Sequence, residues 1–251
     1  MWQAGTAVNT LVGVGVGPGD PELVTVRAIR RLREADVVFV PVADTGETGR
    51  AEATVRHHID GGEIVRVVFA MRDQVHGERR ERAWDAAAAQ VADWFGAHPD
   101  GTAAFATLGD PCVYSTFTYL AQTVRELVGD LTVELVPGVT AMQDLAARSA
   151  TPLVEGRESL ALFPMTAGAD RFRQALESFD TVVAYKFGRM LPETLAVLAE
   201  AGRLDDAVFG AGLGLPSEDI RPARELPRDA PGPYLSTLIV PARRVRRGGK
   251  L

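Results

Sequence analysis

The chain has a single cysteine, Cys112, among 251 residues. One thiol can neither close an internal disulfide nor build a cysteine-based zinc site, and His57, His58, His76 and His98 have no cysteine at ligand spacing. No protein-held metal is expected. Lysine is nearly absent too: of 27 basic residues only Lys186 and Lys250 are lysines, a skew read as codon bias. Positive charge is not in excess, since the formal balance is −6. That excludes broad nucleic-acid binding, which takes a dense basic surface, but leaves room for a local basic pocket. The arginine-rich end, ARRVRRGGKL, reads as a solvated terminus. Long apolar runs are missing as well. Stretches such as 36–42 and 181–185 fall far below the roughly 20 apolar residues of a membrane span. The opening MWQAGTAVNT has neither the basic nor the apolar region of a secretory signal. A cytoplasmic protein without membrane association is expected.

What remains is a chain that is 46% hydrophobic and 24% charged, rich enough in apolar side chains for one large core or two smaller ones. Strand-like and helix-like segments alternate, the pattern of an α/β protein with largely parallel strands. Residues 11–16, 36–40, 64–69, 102–107 and 131–136 read as strands of a first lobe, with Pro41 stopping the second of them. Helices are expected over 25–35, 79–95, 113–128 and 140–149, the first capped by Thr25 and carrying Val26, Ile29 and Leu32 at helical spacing. The pattern restarts with strands over 160–163, 181–185, 207–211 and 234–240, and helices over 169–178 and 191–201. The turn-rich segment 151–158 is the expected boundary, giving lobes at 8–150 and 151–242 with the active site in the cleft between them. His57 and His58 fall in a helical stretch and are expected at its surface.

The first strand runs into GVGVGPGDPELVT. A dinucleotide fingerprint fails here, because the third glycine position is Pro18 counted from Gly13 and Asp20 counted from Gly15. Proline offers no amide hydrogen to a pyrophosphate, and aspartate would repel one. No Gly-Lys-Ser/Thr follows either, so the turn is not a nucleotide P-loop. A tight bend at Gly17-Pro18-Gly19 remains, able to bring main chain close to a ligand. LGDP at 108–111, VPGVT at 136–140 and GAGLGLP at 210–216 share its character: small residues and proline at a strand end, with backbone polar groups free to bind.

Taken in order, GVGVGPGDPELVT, ATLGDPCVYSTFTYL, VPGVTA and YLSTLIVP resemble the signature segments of the tetrapyrrole methylases, the S-adenosylmethionine-dependent enzymes of corrin and sirohaem synthesis. The resemblance runs from about Leu11 to Pro241. Within that family YSTF, TPLVEGRESLALFP and AYKFGRMLPETL look most like the members that methylate C-20 of precorrin-2 to give precorrin-3A. Methylation of cobalt-factor II at the same carbon, or the precorrin-6A synthase reaction, is the alternative. The resemblance implies S-adenosylmethionine as cofactor, a tetrapyrrole substrate and a homodimer. It also implies that Val16, Gly109, Asp110, Val113, Ser115, Thr116, Thr140, Ala141, Tyr185, Ser236 and Thr237 line the cofactor site. Tyr185 departs from the aliphatic or methionine residue common in the family.

Several of these positions have two readings. Asp110 can accept hydrogen bonds from the donor's ammonium or ribose, or cap the helix that follows. Ser115, Thr116 and Thr140 carry the same choice. Pro18, Gly19 and Asp20 are expected to face the tetrapyrrole, with Asp20 handling the C-20 proton or stabilising its own turn. A substrate with eight carboxylates calls for local arginines, and Arg27, Arg50, Arg72 and Arg79 are the candidates in the first lobe.

Overall fold

The computed structural model describes residues 8–44, 46, 48–69 and 78–245, with backbone alone for 78–80. Arg72 and His76 therefore lie outside the described residues, and nothing is said of the Arg79 side chain. The chain divides into two compact units, residues 1–140 and 141–251.

The first unit runs β1 (Asn9–Gly15), α1 (Val26–Glu34), β2 (Val37–Val42), α2 (Arg50–His58), β3 (Glu63–Val68), α3 (Glu78–Ala97), β4 (Thr102–Thr107), α4 (Phe117–Val128) and β5 (Leu131–Val136). Its five strands are parallel, in the order β3-β2-β4-β1-β5. Because side chains alternate along a strand, the apolar run of β1 feeds both faces of the sheet. Val12 and Val14 pack with Ala28 and Leu32 of α1 and with Val55 of α2. Leu11 packs with Phe105 and, on the helices of the other face, Val91, Phe117 and Leu120. Gly13 is required by that second face, since an added Cβ would stand 2.7 Å from Cζ of the Phe117 ring. Burying a ring of this size contributes about 2 to 3 kcal/mol.

The second unit holds α5 (Ala141–Arg148), β6 (Leu160–Pro164), α6 (Ala169–Ser178), β7 (Thr181–Tyr185), α7 (Leu191–Glu200), β8 (Val208–Ala211), β9 (Asp219–Pro222) and β10 (Ser236–Val240). Its sheet order is β6-β7-β10-β8-β9. Phe172 and Leu176 of α6 and Leu195 and Leu198 of α7 cover one face with Val182, Phe209 and Leu238. Leu145 of α5 covers the other with Val183 and Ile239. Among the described residues no helix is long and apolar enough to cross a membrane.

The α/β architecture in two lobes is as expected, with differences in detail, an unexpected short strand β9 among them. The largely parallel reading holds for the first sheet only: β10 runs antiparallel to β7 and β8, and β9 antiparallel to β8. Pro41 does not stop β2, which continues to Val42 by pairing with Val67 and Val68 of β3. On its other side β2 pairs with β4 only as far as Phe39, so the missing proline N–H faces no partner strand there. The helix expected from 113 begins at Phe117, because Tyr114 takes a left-handed φ of 50° that cannot continue a helix. Finally, the units divide ahead of α5 rather than after it, because Leu145 is buried on the second sheet.

Candidate functional site

Strands β4, β1 and β5 are neighbours and parallel, so the turns that follow them emerge along one edge of the first sheet. The chain leaving β1 enters α1 on one face, and the chain leaving β4 enters α4 on the other. Adjacent strands whose connections diverge in this way form a topological switch point, where open α/β sheets leave space for a ligand beyond the strand ends.

The two diverging turns are tied together by backbone. Val16 N donates to Thr107 O at 2.9 Å, and Gly109 N donates to Gly17 O at 2.8 Å, an isolated antiparallel bridge. The turn after β5 threads between them. A Cβ on Gly15 would stand 2.6 Å from Gly109 O and 2.7 Å from Gly138 N, so main chain meets main chain with no room for side chains. Gly109 differs: its φ of 68° favours glycine, and an added Cβ would meet nothing nearer than Thr140 Cα at 4.0 Å. Small residues thus clear a backbone-walled approach at the switch point.

Asp110 neither caps α4 nor stands apart from the turns. Its Oδ1 accepts from Cys112 N at 2.8 Å and its Oδ2 from Gly138 N at 3.0 Å, stapling the β4 turn to the β5 turn. A carboxylate has about four lone-pair sites, so both oxygens keep capacity for a further donor. Ser115 Oγ accepts from Phe117 N at 3.1 Å and pairs with Thr107 Oγ1 at 2.9 Å, serving the start of α4, while Thr116 makes no capping bond. Val16 is buried, Val113 half-buried and Thr140 buried. Tyr114 is half-exposed, and burial pushes its hydroxyl pKa up. A bulky side chain held in the left-handed region is a strained arrangement of the kind that collects at functional sites.

Asp20 Oδ1 accepts from Glu22 N at 2.9 Å, the turn-stabilising arrangement, beside the half-buried Pro18 and buried Gly19. His58 is not a plain surface residue: its Nε2 donates to Pro21 O at 2.7 Å and so anchors this turn to α2. Arg27 is exposed on α1. Arg50 is exposed at the start of α2, where partial burial lowers its guanidinium pKa, with no offsetting acidic side chain among the described residues.

In the second unit Thr237 lies opposite Tyr185 in the β10–β7 register, and Ala141, Met142 and Tyr185 pack on one cluster with Leu145 and Ile239. Tyr185 Oη accepts from Met142 N at 2.9 Å. Ser236 and Thr237 are buried, and Ser236 Oγ donates to Pro233 O at 2.9 Å. The turn at Gly212 and Gly214 is closed by Glu218, whose Oε2 accepts from Gly214 N at 2.7 Å and meets Arg148 at 3.2 Å. The first unit thus brings Val16, Asp110 and Thr140 to the turns around Gly109, with Ser115 and Thr116 at the start of α4, and the second brings together Ala141, Tyr185 and Thr237. Arg27 and Arg50 stand on separate helices. Gly138, Thr107 and Glu218 were not named as site residues from sequence, Gly138 showing only as part of the VPGVT turn, and His58 was expected only at a helix surface.

Residues 10–227 match the family described as Tetrapyrrole (Corrin/Porphyrin) Methylases, and the chain belongs to that family. It is 35% identical over 233 residues to the cobalt-precorrin-2 C(20)-methyltransferase of Salmonella typhimurium, covering 92% of this chain and 95% of that one. It is 31% identical over 248 residues to the precorrin-2 C(20)-methyltransferase of a Sinorhizobium species, covering 95% and 98%. The fold matches the crystal structure of the methyltransferase CobJ with a TM-score of 0.69 at 18% identity, over 95% of this chain and 96% of the other. It also matches uroporphyrin-III C-methyl transferase from Thermus thermophilus, crystallised with S-adenosyl homocysteine, with a TM-score of 0.64 at 24% identity, over 93% and 97%.

Proposed function

We propose that the protein transfers the methyl group of S-adenosylmethionine to C-20 of precorrin-2 or its cobalt-loaded form. The observation that carries the reading is the backbone-walled switch point, where Gly15, Gly109 and Gly138 leave no side chain in the way, in a chain about a third identical to two C-20 methyltransferases over nearly its whole length. The residues present fit a flat, polar, cationic ligand: a left-handed Gly109 with open space above it, and a stapled carboxylate at Asp110 with spare lone pairs.

The donor, when bound, supplies an electrophilic methyl on a sulfonium. Holding a carbon nucleophile in line with it accounts for about 7 to 11 kcal/mol of barrier lowering through orientation alone. This chain's part is therefore rigid placement. In the first unit Val16, Gly109, Asp110, Val113, Ser115, Thr116 and Thr140 are assigned to the donor, Asp110 favouring its positive charge while fixing the turns. In the second unit Ala141, Ser236 and Thr237 are assigned to it, with Tyr185 packed beside Ala141. Pro18 and Gly19 are assigned to the ring, and Asp20, whose Oδ1 also accepts from Glu22 N, is assigned to receive the proton lost from C-20. Arg50, whose partial burial has no offsetting acidic group among the described residues, is suited to a substrate carboxylate, with Arg27 as a weaker exposed partner. We further propose a cytoplasmic homodimer, which light scattering on the purified protein tests.

Calorimetry with S-adenosylhomocysteine and mass spectrometry of precorrin-2 incubated with S-adenosylmethionine test the reading. Binding together with a mass gain of one methyl group is the expected result. Ring binding without binding of adenosylhomocysteine would identify a tetrapyrrole carrier instead.

A further inference from the structure

Resting on the reading above, we propose that Tyr185 is a positioning residue for the methyl donor and acts through the first turn of α5, not by touching the donor. Tyr185 ends β7, whose run TVVAY is buried up to that residue. A phenol hydroxyl at the end of such a strand needs polar partners, and among those it finds is a helix amide: Met142 N donates to Tyr185 Oη at 2.9 Å. The first four N–H groups of a helix have no partner within it. In an eight-residue helix such as α5 they make up half of the amides, so a side chain from the sheet that satisfies one of them fixes where the helix begins.

The neighbours show what is being fixed. Tyr185 is in register with Thr237 of β10, the strand against which α5 packs. Ala141 and Met142, the first two residues of α5, pack in the same cluster as Tyr185, Leu145 and Ile239. Leu145 sets the other end of this contact, because Gly210 leaves a gap that the leucine fills: an added Cβ there would stand 2.6 Å from Leu145 Cδ1. The helix is thus seated by apolar packing at Leu145, tied at its end to Glu218 through Arg148, and held at its start by the bond from Met142 N to Tyr185 Oη. Apolar packing alone leaves a short helix free to slide or rotate by a fraction of an ångström. The hydroxyl of Tyr185 removes that freedom at Ala141, and with it any variation in the spacing between Ala141 and Thr237, both of which the proposed function assigns to the donor.

Two substitutions separate this role from direct contact by the ring. Tyr185→Phe keeps the ring and removes the hydroxyl; Tyr185→Leu removes both. The dissociation constant of S-adenosylhomocysteine and KM for S-adenosylmethionine are expected to rise about tenfold in Tyr185→Phe, with little further rise in Tyr185→Leu. The value of kcat at saturating donor should fall far less than KM rises. Hydrogen exchange at the Met142 amide should accelerate in Tyr185→Phe, while the amides of β7 and β10 keep their protection. Unchanged affinity in Tyr185→Phe with loss in Tyr185→Leu would overturn the proposal in favour of ring contact. A lowered melting temperature with unaltered KM in both variants would overturn it in favour of a purely structural bond. Wild-type protein that binds no adenosylhomocysteine would overturn the parent reading and this proposal with it, whereas tight wild-type binding with an unaltered Tyr185→Phe overturns this proposal alone.

Discussion

Replacing Asp110 by alanine removes the staple between the turns after β4 and β5. Two backbone amides, Cys112 N and Gly138 N, lose an ionised acceptor at 2.8 and 3.0 Å. Hydrogen bonds to a charged group contribute about 1.5 to 3 kcal/mol each, and the half-buried setting lets water recover part of that, which leaves about 2 kcal/mol for the pair. In a chain of this length such a loss lowers the melting temperature by about 4 to 8 °C. Asparagine offers one acceptor oxygen and turns an amide toward the second N–H, so Asp110→Asn should fall between wild type and Asp110→Ala. Affinity for S-adenosylhomocysteine should drop about tenfold in Asp110→Ala, because Gly138 and Gly109 are no longer held at one spacing. Thermal melting with and without the ligand, followed by calorimetry, reads both effects. A wild-type melting temperature in Asp110→Ala would refute the staple, and if binding collapsed at the same time the carboxylate would belong to the donor directly.

Glu52→Gln should destabilise the first unit by about 2 to 3 kcal/mol, less than a wholly buried pair would cost because both arginines reach solvent. The Glu52 carboxylate is buried between Arg66 at 2.7 Å and Arg56 at 2.8 Å, and hydrogen bonding to Arg66 chiefly holds its pKa below the ordinary value. A depressed folded value means that this stability is present above the ordinary carboxylate range and lost as pH falls through the lower folded value. The melting-temperature gap between wild type and Glu52→Gln should therefore close as the pH falls from the ordinary carboxylate range through the lower folded value; a gap independent of pH would contradict the assignment. Gly138→Ala places a methyl against Gly109 O and Gly15 backbone that cannot yield, and should cost about 3 kcal/mol together with donor binding. Thermal melting matching wild type would refute that packing. Arg50→Ala should raise KM for the tetrapyrrole about fivefold and flatten its dependence on salt, measured in steady-state assays from low to moderate ionic strength. An unchanged KM would return Arg50 to the solvated surface.

Much of the fold was legible because burial on both faces of a parallel sheet writes long β-branched runs, as at Val12 to Val16 and Val37 to Val42. Thr25 was legible as a cap for a similar local reason, and its Oγ1 does accept from Ala28 N at 3.1 Å. Strand β9 was not, since DIRP is short, charged and at an edge, and its pairing with β8 is decided by register rather than by hydrophobicity. Nor was the left-handed Tyr114, whose conformation is imposed by its loop. The candidate site was legible as four small-residue turns, but not as a connected object. The Asp110 to Gly138 bond spans 28 residues, the His58 to Pro21 bond 37 and the Tyr185 to Met142 bond 43. Glu52 was not read from sequence at all: its partner Arg56 lies one helical turn on, but the fold alone brings Arg66 from β3 to bury it.

In the proposed function the backbone turns place a sulfonium methyl against one carbon of a reduced tetrapyrrole. Incubation of the purified protein with precorrin-2 and S-adenosylmethionine carrying a carbon-13 methyl, followed by carbon NMR of the product, reads that placement atom by atom. A single new labelled methyl at C-20 is the predicted result. Label at another ring position, or label that never leaves the donor, would contradict it.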